Sequence, residues 1–315
     1  GLLRPRDVIA TLKLLRDARS AHPRADGDRT IASALEEAGV SRSMYDGFWR
    51  PFLAGITLDP ELQGSARFLD FLLSNFASGP AAVPNAGMGR IGEVLAAPLP
   101  QGTVRTGMRV EAIEKGSVVL EGGAKVKADH IVIATDGATA ARLAPELVAP
   151  QTRTVAQIAF SCGAAPPVEG AVLVLDGEGS GPVNNFQVMS NAAPGYAPAG
   201  SSLATCSILE DHLGDDDETL ERKARTQLTG WFGGAVADWK TLDVRRVEQA
   251  LPIQPPGSLD PIERPLRLRR WLWVAGDHRA TASIEGALAS GRHAGMQVAA
   301  AIAEQSGRLW LAESN

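Results

Sequence analysis

The chain has 315 residues, which is enough for one large or two medium domains and for a core that needs no disulfide or metal. Its 31 basic and 36 acidic residues leave a net charge of -5, which argues against a nucleic-acid partner. Because no apolar run is long enough to span a membrane and no signal-peptide pattern is present, we predict a cytoplasmic protein without a transmembrane span. Cys162 and Cys206 match neither a metal-site nor a disulfide pattern, so no bound metal is predicted.

The first part of the chain is predicted to be helical. An apolar repeat with helical spacing begins at Val8 and predicts the first helix. Three further helices are predicted over residues 30–38, 41–49 and 65–76. Asp28 is expected to cap the first of these three, and Pro51 to end the second. The third is apolar on almost every side, which is typical of a helix that is buried or lines an apolar cavity.

After Pro84 the predicted elements become short and β-rich. Four segments bounded by glycines indicate a small antiparallel meander. They are residues 104–106, 109–114, 118–120 and 124–126. The apolar run Asp129–Thr135 then predicts a strand buried on both faces of a parallel sheet, followed by a helix that begins near Ala138.

The middle of the chain has a second pattern, in which strands alternate with turns rich in glycine, proline and asparagine. These predicted strands cover residues 154–162, 171–175, 184–189, 203–208 and 241–249. A long helix is predicted over Asp217–Trp231, where Asp215 and Asp216 suit the positive end of the helix dipole. An edge strand or connector is predicted at Arg264–Arg270. The predicted fold class is α/β, with helices and mixed parallel and antiparallel strands.

The strongest functional signal lies near the C-terminus. Trp271–Asp277 is predicted to be a buried strand that ends in a Gly-Asp turn, and Ser283–Gly291 opens a helix. Gly276 permits a ligand to approach the backbone closely, and the Asp277 carboxylate is able to accept hydrogen bonds from sugar-type hydroxyls. The helix N-terminus beyond them presents free N–H groups and a positive dipole end to an anion or an electron-rich ring edge.

The segment AGDHRATASIEGALASG, which begins at Ala275, resembles the C-terminal flavin motif of the FAD-dependent amine oxidase and phytoene desaturase superfamily. Arg109–Ile113 is similar to a family strand whose valine faces the adenine, and Ala128–Thr135 resembles the strand and turn that close the dinucleotide domain. Arg50–Ile56 and Ala250–Gly257 are similar to segments of bacterial phytoene-desaturase-like oxidoreductases. The resemblance covers nearly the whole chain and implies an FAD-dependent oxidoreductase.

The resemblance also implies two interleaved domains. Residues 80–150 and 265–315 would form a partial, Rossmann-like FAD-binding domain. Residues 1–79 and 151–264 would form a substrate-binding domain that contains a mixed sheet and helices.

A set of cofactor-binding residues follows from the same resemblance. Asp277 would bind the ribityl or phosphate part of FAD, and the N–H groups of Gly286 and Ala287 would lie near the pyrimidine edge of the isoalloxazine. Val110 would contact adenine through its backbone, while Glu285 is either a direct contact or an acid favoured by the helix dipole. The full set of candidates is Val110, Ala134, Thr135, Gly276, Asp277, Ser283, Ile284, Glu285, Gly286 and Ala287. No catalytic residue is singled out.

One departure from the family pattern concerns the pyrophosphate of FAD. The family carries a G-x-G-x-x-G loop between a buried strand and a helix. Gly87–Gly92 has glycines at these spacings, yet no buried strand precedes it and no acid follows at the expected distance. We therefore expect the N-terminal dinucleotide-binding unit to have been removed, or to be supplied in cis or in trans, and FAD binding by this chain alone to be weak or absent.

A second departure concerns the substrate. Related amine oxidases often place an aromatic residue just before the Glu-Gly-Ala of the motif, where this chain has Ser283 or Ile284. This difference disfavours an amine and favours an apolar small molecule, such as a lipid or polyene, from which a hydride passes to the flavin largely by positioning. Two alternatives are a non-catalytic lipid- or partner-binding protein that resembles GDP dissociation inhibitors, and a subunit completed in trans by a flavin-binding chain.

Overall fold

The computed structural model of the chain describes residues 4–19, 27–163 and 166–313, with side chains up to residue 305. The chain divides into two compact units. The first unit comprises Gly1–Pro100, Thr152–Leu251 and Pro255–Gly257. The second comprises Gln101–Gln151, Pro252–Gln254 and Ser258–Asn315. The first division therefore falls after residue 100, later in the chain than the boundary at residue 80 that we expected between the domains.

The described chain contains both helices and strands, so the predicted α/β fold class is confirmed. The helices are α1 (Pro5–Arg19), α2 (Ile31–Ala38), α3 (Arg42–Met44), α4 (Arg50–Thr57), α5 (Ala66–Ser78), α6 (Arg90–Ala96), α7 (Gly137–Leu143), α8 (Met189–Ala192), α9 (Asp217–Phe232) and α10 (Ile284–Glu313). The strands are β1 (Val110–Glu114), β2 (Ser117–Leu120), β3 (Lys125–Lys127), β4 (Ile131–Ile133), β5 (Thr152–Cys162), β6 (Leu173–Leu175), β7 (Val183–Val188), β8 (Ser202–Leu209), β9 (Lys240–Pro252), β10 (Arg267–Arg269) and β11 (Leu272–Val274).

The first unit is built around a five-stranded sheet with the order β6-β7-β8-β5-β9. Side chains alternate between its two faces because successive residues of a strand point in opposite directions. One face is buried, with Ile158, Phe160, Phe186 and Cys206 in contact with a core that includes Leu228 of α9. A second core lies among the helices α1, α2, α4 and α5.

Two details of the helical part differ from the predictions. The cap of α2 is Thr30, whose side chain accepts a hydrogen bond from the Ser33 N–H, and Asp28 does not cap it. Asp28 lies too far before the helix for that role, and its carboxylate instead accepts hydrogen bonds from Ser65 Oγ at 2.6 Å and the Gly257 N–H at 2.7 Å. Thr30 is the residue directly before the first turn, which is the position where a short polar side chain reaches the free N–H groups.

Pro51 does not end the helix predicted over residues 41–49. After α3 the chain forms a π-helical turn, Tyr45–Trp49, and continues directly into α4. Pro51 falls in the first turn of α4, where the missing N–H would have no partner within the helix. The proline is therefore compatible with a helix that runs on to Thr57.

The second unit contains two small sheets. β1, β2 and β3 form the predicted antiparallel meander, although residues 104–106 are not a strand. In the other sheet β11 lies between β10 and β4, antiparallel to the first and parallel to the second. Ile131 and Ile133 of β4 are buried, but Val132 is 39% exposed, so β4 is not buried on both faces as the apolar run predicts.

Two further properties concern only the described part of the chain. None of its helices combines the length and the apolar character needed to cross a membrane. Nor do its His, Cys, Asp and Glu side chains form any group of three or more that is placed to hold a metal ion.

We predict that both thiols are unreactive in the folded chain. Cys162 and Cys206 are buried on the covered sheet face, and burial raises their pKa values to about 11 and about 12 respectively. Because the thiolate is the reacting form, a disulfide reagent at about pH 8 should label neither residue until denaturant is added. Rapid labelling of either thiol without denaturant would contradict this account of the sheet core.

Candidate functional site

The candidate site lies in the second unit, where the parallel strands β4 and β11 end at the same edge of their sheet. The Ala275 N–H extends the pairing by donating to the Ile133 carbonyl oxygen at 2.8 Å. One residue further, Gly276 has a φ of 152°, a conformation that favours glycine. A Cβ at Gly276 would lie only 3.2 Å from the Thr135 carbonyl oxygen, so the two predicted turns are brought together.

Ser290 of α10 holds the Gly276 turn in place. The Gly276 N–H donates to Ser290 Oγ at 2.9 Å, and Ser290 Oγ lies 3.0 Å from the Gly276 carbonyl oxygen, which accepts from it. Ser290 is buried, so these hydrogen bonds are shielded from water. The sequence pattern marks Ser290 only as one of several small residues, and its role as a clamp follows from the tertiary structure.

The first turn of α10 requires one correction to the predicted donors. The Gly286 N–H donates to Ser283 Oγ, and the Ala287 N–H to the Ser283 carbonyl oxygen, both at 3.0 Å. Ser283 thus acts as the N-cap, and these two N–H groups are already bonded within the chain. Within the described residues the N–H groups of Ile284 and Glu285 have no hydrogen-bond partner, so they are the donors that this helix end offers.

Gly286 is required by the close approach of the preceding loop. A Cβ at this position would lie 2.0 Å from the Thr281 carbonyl oxygen and 2.7 Å from Thr281 Oγ1. Such contacts are shorter than any real Cβ contact, so only glycine fits without movement of the backbone. The glycine of the Ser-Ile-Glu-Gly-Ala motif therefore permits the loop and the helix to pack together.

The turn after Gly276 carries two polar side chains without partners. The Asp277 carboxylate is 30% exposed and accepts no hydrogen bond from the described residues. The His278 side chain is 6% exposed, and neither of its ring nitrogens has a hydrogen-bond partner. His278 Nδ1 lies 3.8 Å from Asp277 Oδ1, too far for a hydrogen bond. Unpaired polar groups in such a place indicate hydrogen bonds that a ligand is able to complete.

The turn after β4 is fixed by its own helix cap. Thr135 Oγ1 donates to the Asp136 carbonyl oxygen at 3.1 Å, and Asp136 caps α7 by accepting from the Thr139 N–H at 2.8 Å. Burial opposes a charge on Asp136, but the hydrogen bonds from Thr139 and its neighbours hold the pKa of this carboxyl below its ordinary value. Ala134, the residue before this turn, is exposed.

Val110, the predicted adenine contact, lies in the meander and not at the Gly276 turn. Its carbonyl oxygen accepts from Arg142 Nη2 at 3.4 Å, and the neighbouring Glu111 carbonyl accepts from Arg142 Nη1 at 3.2 Å. Arg142 belongs to α7, which follows the Thr135 turn. The structure therefore links Val110 to the site through α7 and shows no direct contact with Asp277.

Gly87–Gly92, the weak candidate for a phosphate loop, belongs to the first unit. Gly89 directly precedes the short helix α6, and the described residues before it form a turn rather than a strand. This segment thus has the structure of a helix start, without the strand that positions a phosphate-binding loop.

Comparison with known proteins identifies the family. A model of flavin containing amine oxidoreductases matches residues 2–299. The chain belongs to this family. No curated protein sequence matches the chain at a significant level.

Several solved structures share the fold of this family member. An oxidoreductase from Methanosarcina mazei is 17% identical with a TM-score of 0.72, over 94% of this chain and 74% of that one. Cyclohexylamine oxidase from Brevibacterium oxydans IH-35A is also 17% identical, with a TM-score of 0.65 over 97% of this chain and 76% of its own. Reduced UDP-galactopyranose mutase has 15% identity and a TM-score of 0.61, over 88% and 68% of the two chains. Because these names cover an oxidase and a mutase, the shared fold does not by itself decide the reaction.

We predict that Gly286→Ala destabilises the chain whereas Gly291→Ala does not. The added methyl group at residue 286 collides with the Thr281 backbone, which should lower the free energy of unfolding by about 1–3 kcal/mol. Gly291 lies in the same helix with nothing within 4 Å of its Cβ position, so alanine there should stabilise the chain by about 0.5–1 kcal/mol. Urea unfolding of both variants measures the difference. Equal effects would contradict the close approach described above.

Proposed function

We propose that this family member is an FAD-dependent oxidoreductase that takes a hydride from an apolar small molecule. Two features carry the proposal: the Asp277 carboxylate accepts no hydrogen bond from the described residues, and the N–H groups of Ile284 and Glu285 donate none to them, in a chain that matches the flavin family over residues 2–299. Bound FAD would supply the hydride acceptor. A cytoplasmic location belongs to the same proposal.

The chemistry of these groups suits the ribityl and isoalloxazine parts of FAD. Asp277 would accept hydrogen bonds from ribityl hydroxyls, which are donors without charge. The N–H groups of Ile284 and Glu285 point out of the start of α10, where the helix dipole favours electron-rich atoms. His278, buried and unpaired in the same turn, would provide one further hydrogen bond.

The same residues offer little to a pyrophosphate. In the described part of the chain, the Gly-x-Gly-x-x-Gly spacing at Gly87–Gly92 lacks a preceding strand. Two phosphate charges normally require several N–H donors at a glycine-rich loop and a helix N-terminus. We therefore propose that these 315 residues bind FAD weakly and hold chiefly its ring and ribityl half.

Helix α5, predicted from its sequence to be buried or to line an apolar cavity, combines core and surface positions. Leu69 and Leu73 are buried in the helical core, whereas Phe76 is 44% exposed. This helix therefore packs mainly as core and presents one aromatic ring outward. This exposed aromatic ring supports an apolar substrate in this unit.

The proposal is tested by comparing flavins that differ in the pyrophosphate. Fluorescence titrations of the 315-residue chain should give dissociation constants for FAD and riboflavin of about 10 µM or weaker and within about tenfold of each other. Asp277→Ala should weaken both by about tenfold, because a hydrogen bond to a charged group is lost. Asp243→Asn, at an exposed carboxylate of the first unit, is the matched control and should have no effect.

Three results would count against the proposal. Tight, stoichiometric FAD binding with much weaker riboflavin binding would show a pyrophosphate cradle that we do not expect. Equal flavin affinity in the Asp277→Ala variant would exclude the proposed site. Failure of saturating FAD to lose its visible absorbance with any apolar substrate under anaerobic conditions would favour the non-catalytic binding protein.

A further inference from the structure

The second face of the five-stranded sheet in the first unit has an unusual composition. On the three central strands, cross-strand pairing places Gln157 and Asn185 on either side of Ser207. The next row places Gln187 beside Thr205. All five side chains lie on the face opposite the buried core, because their neighbours along each strand are core residues.

On its three central strands this face carries hydrogen-bonding groups but almost no charge. On β5, β7 and β8 the one charged residue is Arg153, which lies near one end and is paired with Asp59 at 3.1 Å. The remaining polar residues are neutral amides and hydroxyls, a composition that we call the amide face. Charged residues are depleted at the centre of binding interfaces, so an uncharged face of this kind suits a surface that meets a ligand.

Several groups on the amide face lack partners. In the described part of the chain the side chains of Gln157, Gln187 and Thr205 form no hydrogen bond, although Gln187 and Thr205 are half-buried. Apolar side chains flank them, since Leu173 pairs with Gln187 and Ala159 with Thr205. A half-buried amide with apolar neighbours gains most from a ligand that brings a hydrogen-bonding group.

Helix α4 covers one end of the amide face at very short range. A Cβ at Gly55 would lie 2.8 Å from Asn185 Oδ1 and 3.0 Å from Asn184 Nδ2. Asn184 Nδ2 also donates to the Pro51 carbonyl oxygen at 2.9 Å, which ties the sheet to the backbone of α4. The helix therefore forms a wall at the edge of the amide face.

A ladder of aromatic rings passes from Phe48 in the π-helical turn through Phe52 in α4 to Phe76 in α5. The Phe48 and Phe52 rings are stacked, with centroids 5.3 Å apart and an angle of 11° between their planes. The Phe52 and Phe76 centroids are 5.8 Å apart. Phe52 lies three residues before Gly55 and hence on the same side of α4, the side that meets the amide face. The wall formed by α4 is thus aromatic, whereas the amide face that it borders is polar and neutral.

From this arrangement we infer that the first unit selects a substrate with an apolar body and one uncharged hydrogen-bonding group, such as a hydroxyl or a carbonyl. The inference rests on the proposed function and specifies the substrate of that reaction. The apolar body lies against the ladder of Phe48, Phe52 and Phe76, and the neutral group bonds to Gln187 and Thr205. A protonated amine finds no carboxylate among the side chains of β5, β7 and β8, and a pure hydrocarbon leaves the amides unsatisfied.

Binding of three matched polyenes to the full chain without flavin tests this selectivity. Retinol, retinylamine and the corresponding hydrocarbon, axerophthene, differ only in the terminal group. Quenching of tryptophan fluorescence reports binding, because the Trp49 and Phe48 ring centroids are 5.2 Å apart. At neutral pH retinol should bind about tenfold more tightly than either of the other two, as expected for one or two hydrogen bonds.

Two variants separate the polar group from the apolar body. The double variant Gln187→Leu, Thr205→Val should reduce retinol affinity to that of axerophthene and leave axerophthene unchanged or tighter. Phe76→Ala, at an exposed ring, should instead weaken all three ligands by a similar factor. Thr226→Val makes the same change as Thr205→Val on α9, where the hydroxyl bonds to the Arg222 carbonyl, and should alter nothing. Thermal unfolding checks that each variant is folded.

Tighter binding of retinylamine, equal binding of all three ligands, or no binding at all would overturn the inference. So would a double variant that is folded and retains the preference for retinol. The assay contains no flavin, and its failure is therefore distinguishable from failure of the proposed function. Lost selectivity with intact riboflavin binding rejects the inference alone, whereas intact selectivity without flavin reduction rejects the oxidoreductase.

Discussion

The second unit depends on one contact, the meeting of the Gly276 turn with α10 through Ser290. The buried Ser290 hydroxyl accepts a hydrogen bond from the Gly276 N–H at 2.9 Å and donates one to the Gly276 carbonyl oxygen at 3.0 Å, and these bonds fix the strand end to the helix. Gly276 and Gly286 have no room for a Cβ, so the backbone itself forms the surface at this point. Rigid backbone is what positions Asp277 and the first N–H groups of α10, since neither is held by a partner of its own.

In the first unit, the two faces of the sheet differ in composition. Its sheet buries one face against α9 and leaves the amide face with neutral, unpaired groups beside an aromatic wall. Hydrophobic burial on one side supplies the stability, which frees the other side from packing. In the proposed function, chemical selectivity would rest on side chains that contribute little to the core. This separation explains how a family with one fold accommodates several substrates.

The local sequence predicted most elements because their signals are local. Alternation in β5, the acidic start of α9 and the Gly-Asp turn were all readable from neighbouring residues. The predictions that proved wrong depended on distant contacts or on helix details that residue type alone does not encode. Asp28 bonds to Ser65 and Gly257 instead of capping a helix, and Pro51 is accommodated by a π-helical turn that no propensity signals. The N–H groups of Gly286 and Ala287 donate to Ser283, which is identified as the N-cap only once the first residue of α10 is known.

By itself the sequence determined the family, the mixed α/β class and the position of the Gly-Asp turn before a small-residue helix. These features depend on residue types at short spacing, so they are recognisable without knowledge of the fold. Tertiary structure alone decided that Ser290 clamps Gly276, that Gly286 touches Thr281 and that Gln187 stands beside Thr205. Each of these contacts depends on strand register or on how a loop packs against a helix, and many registers fit the same alternating pattern until the whole core selects one.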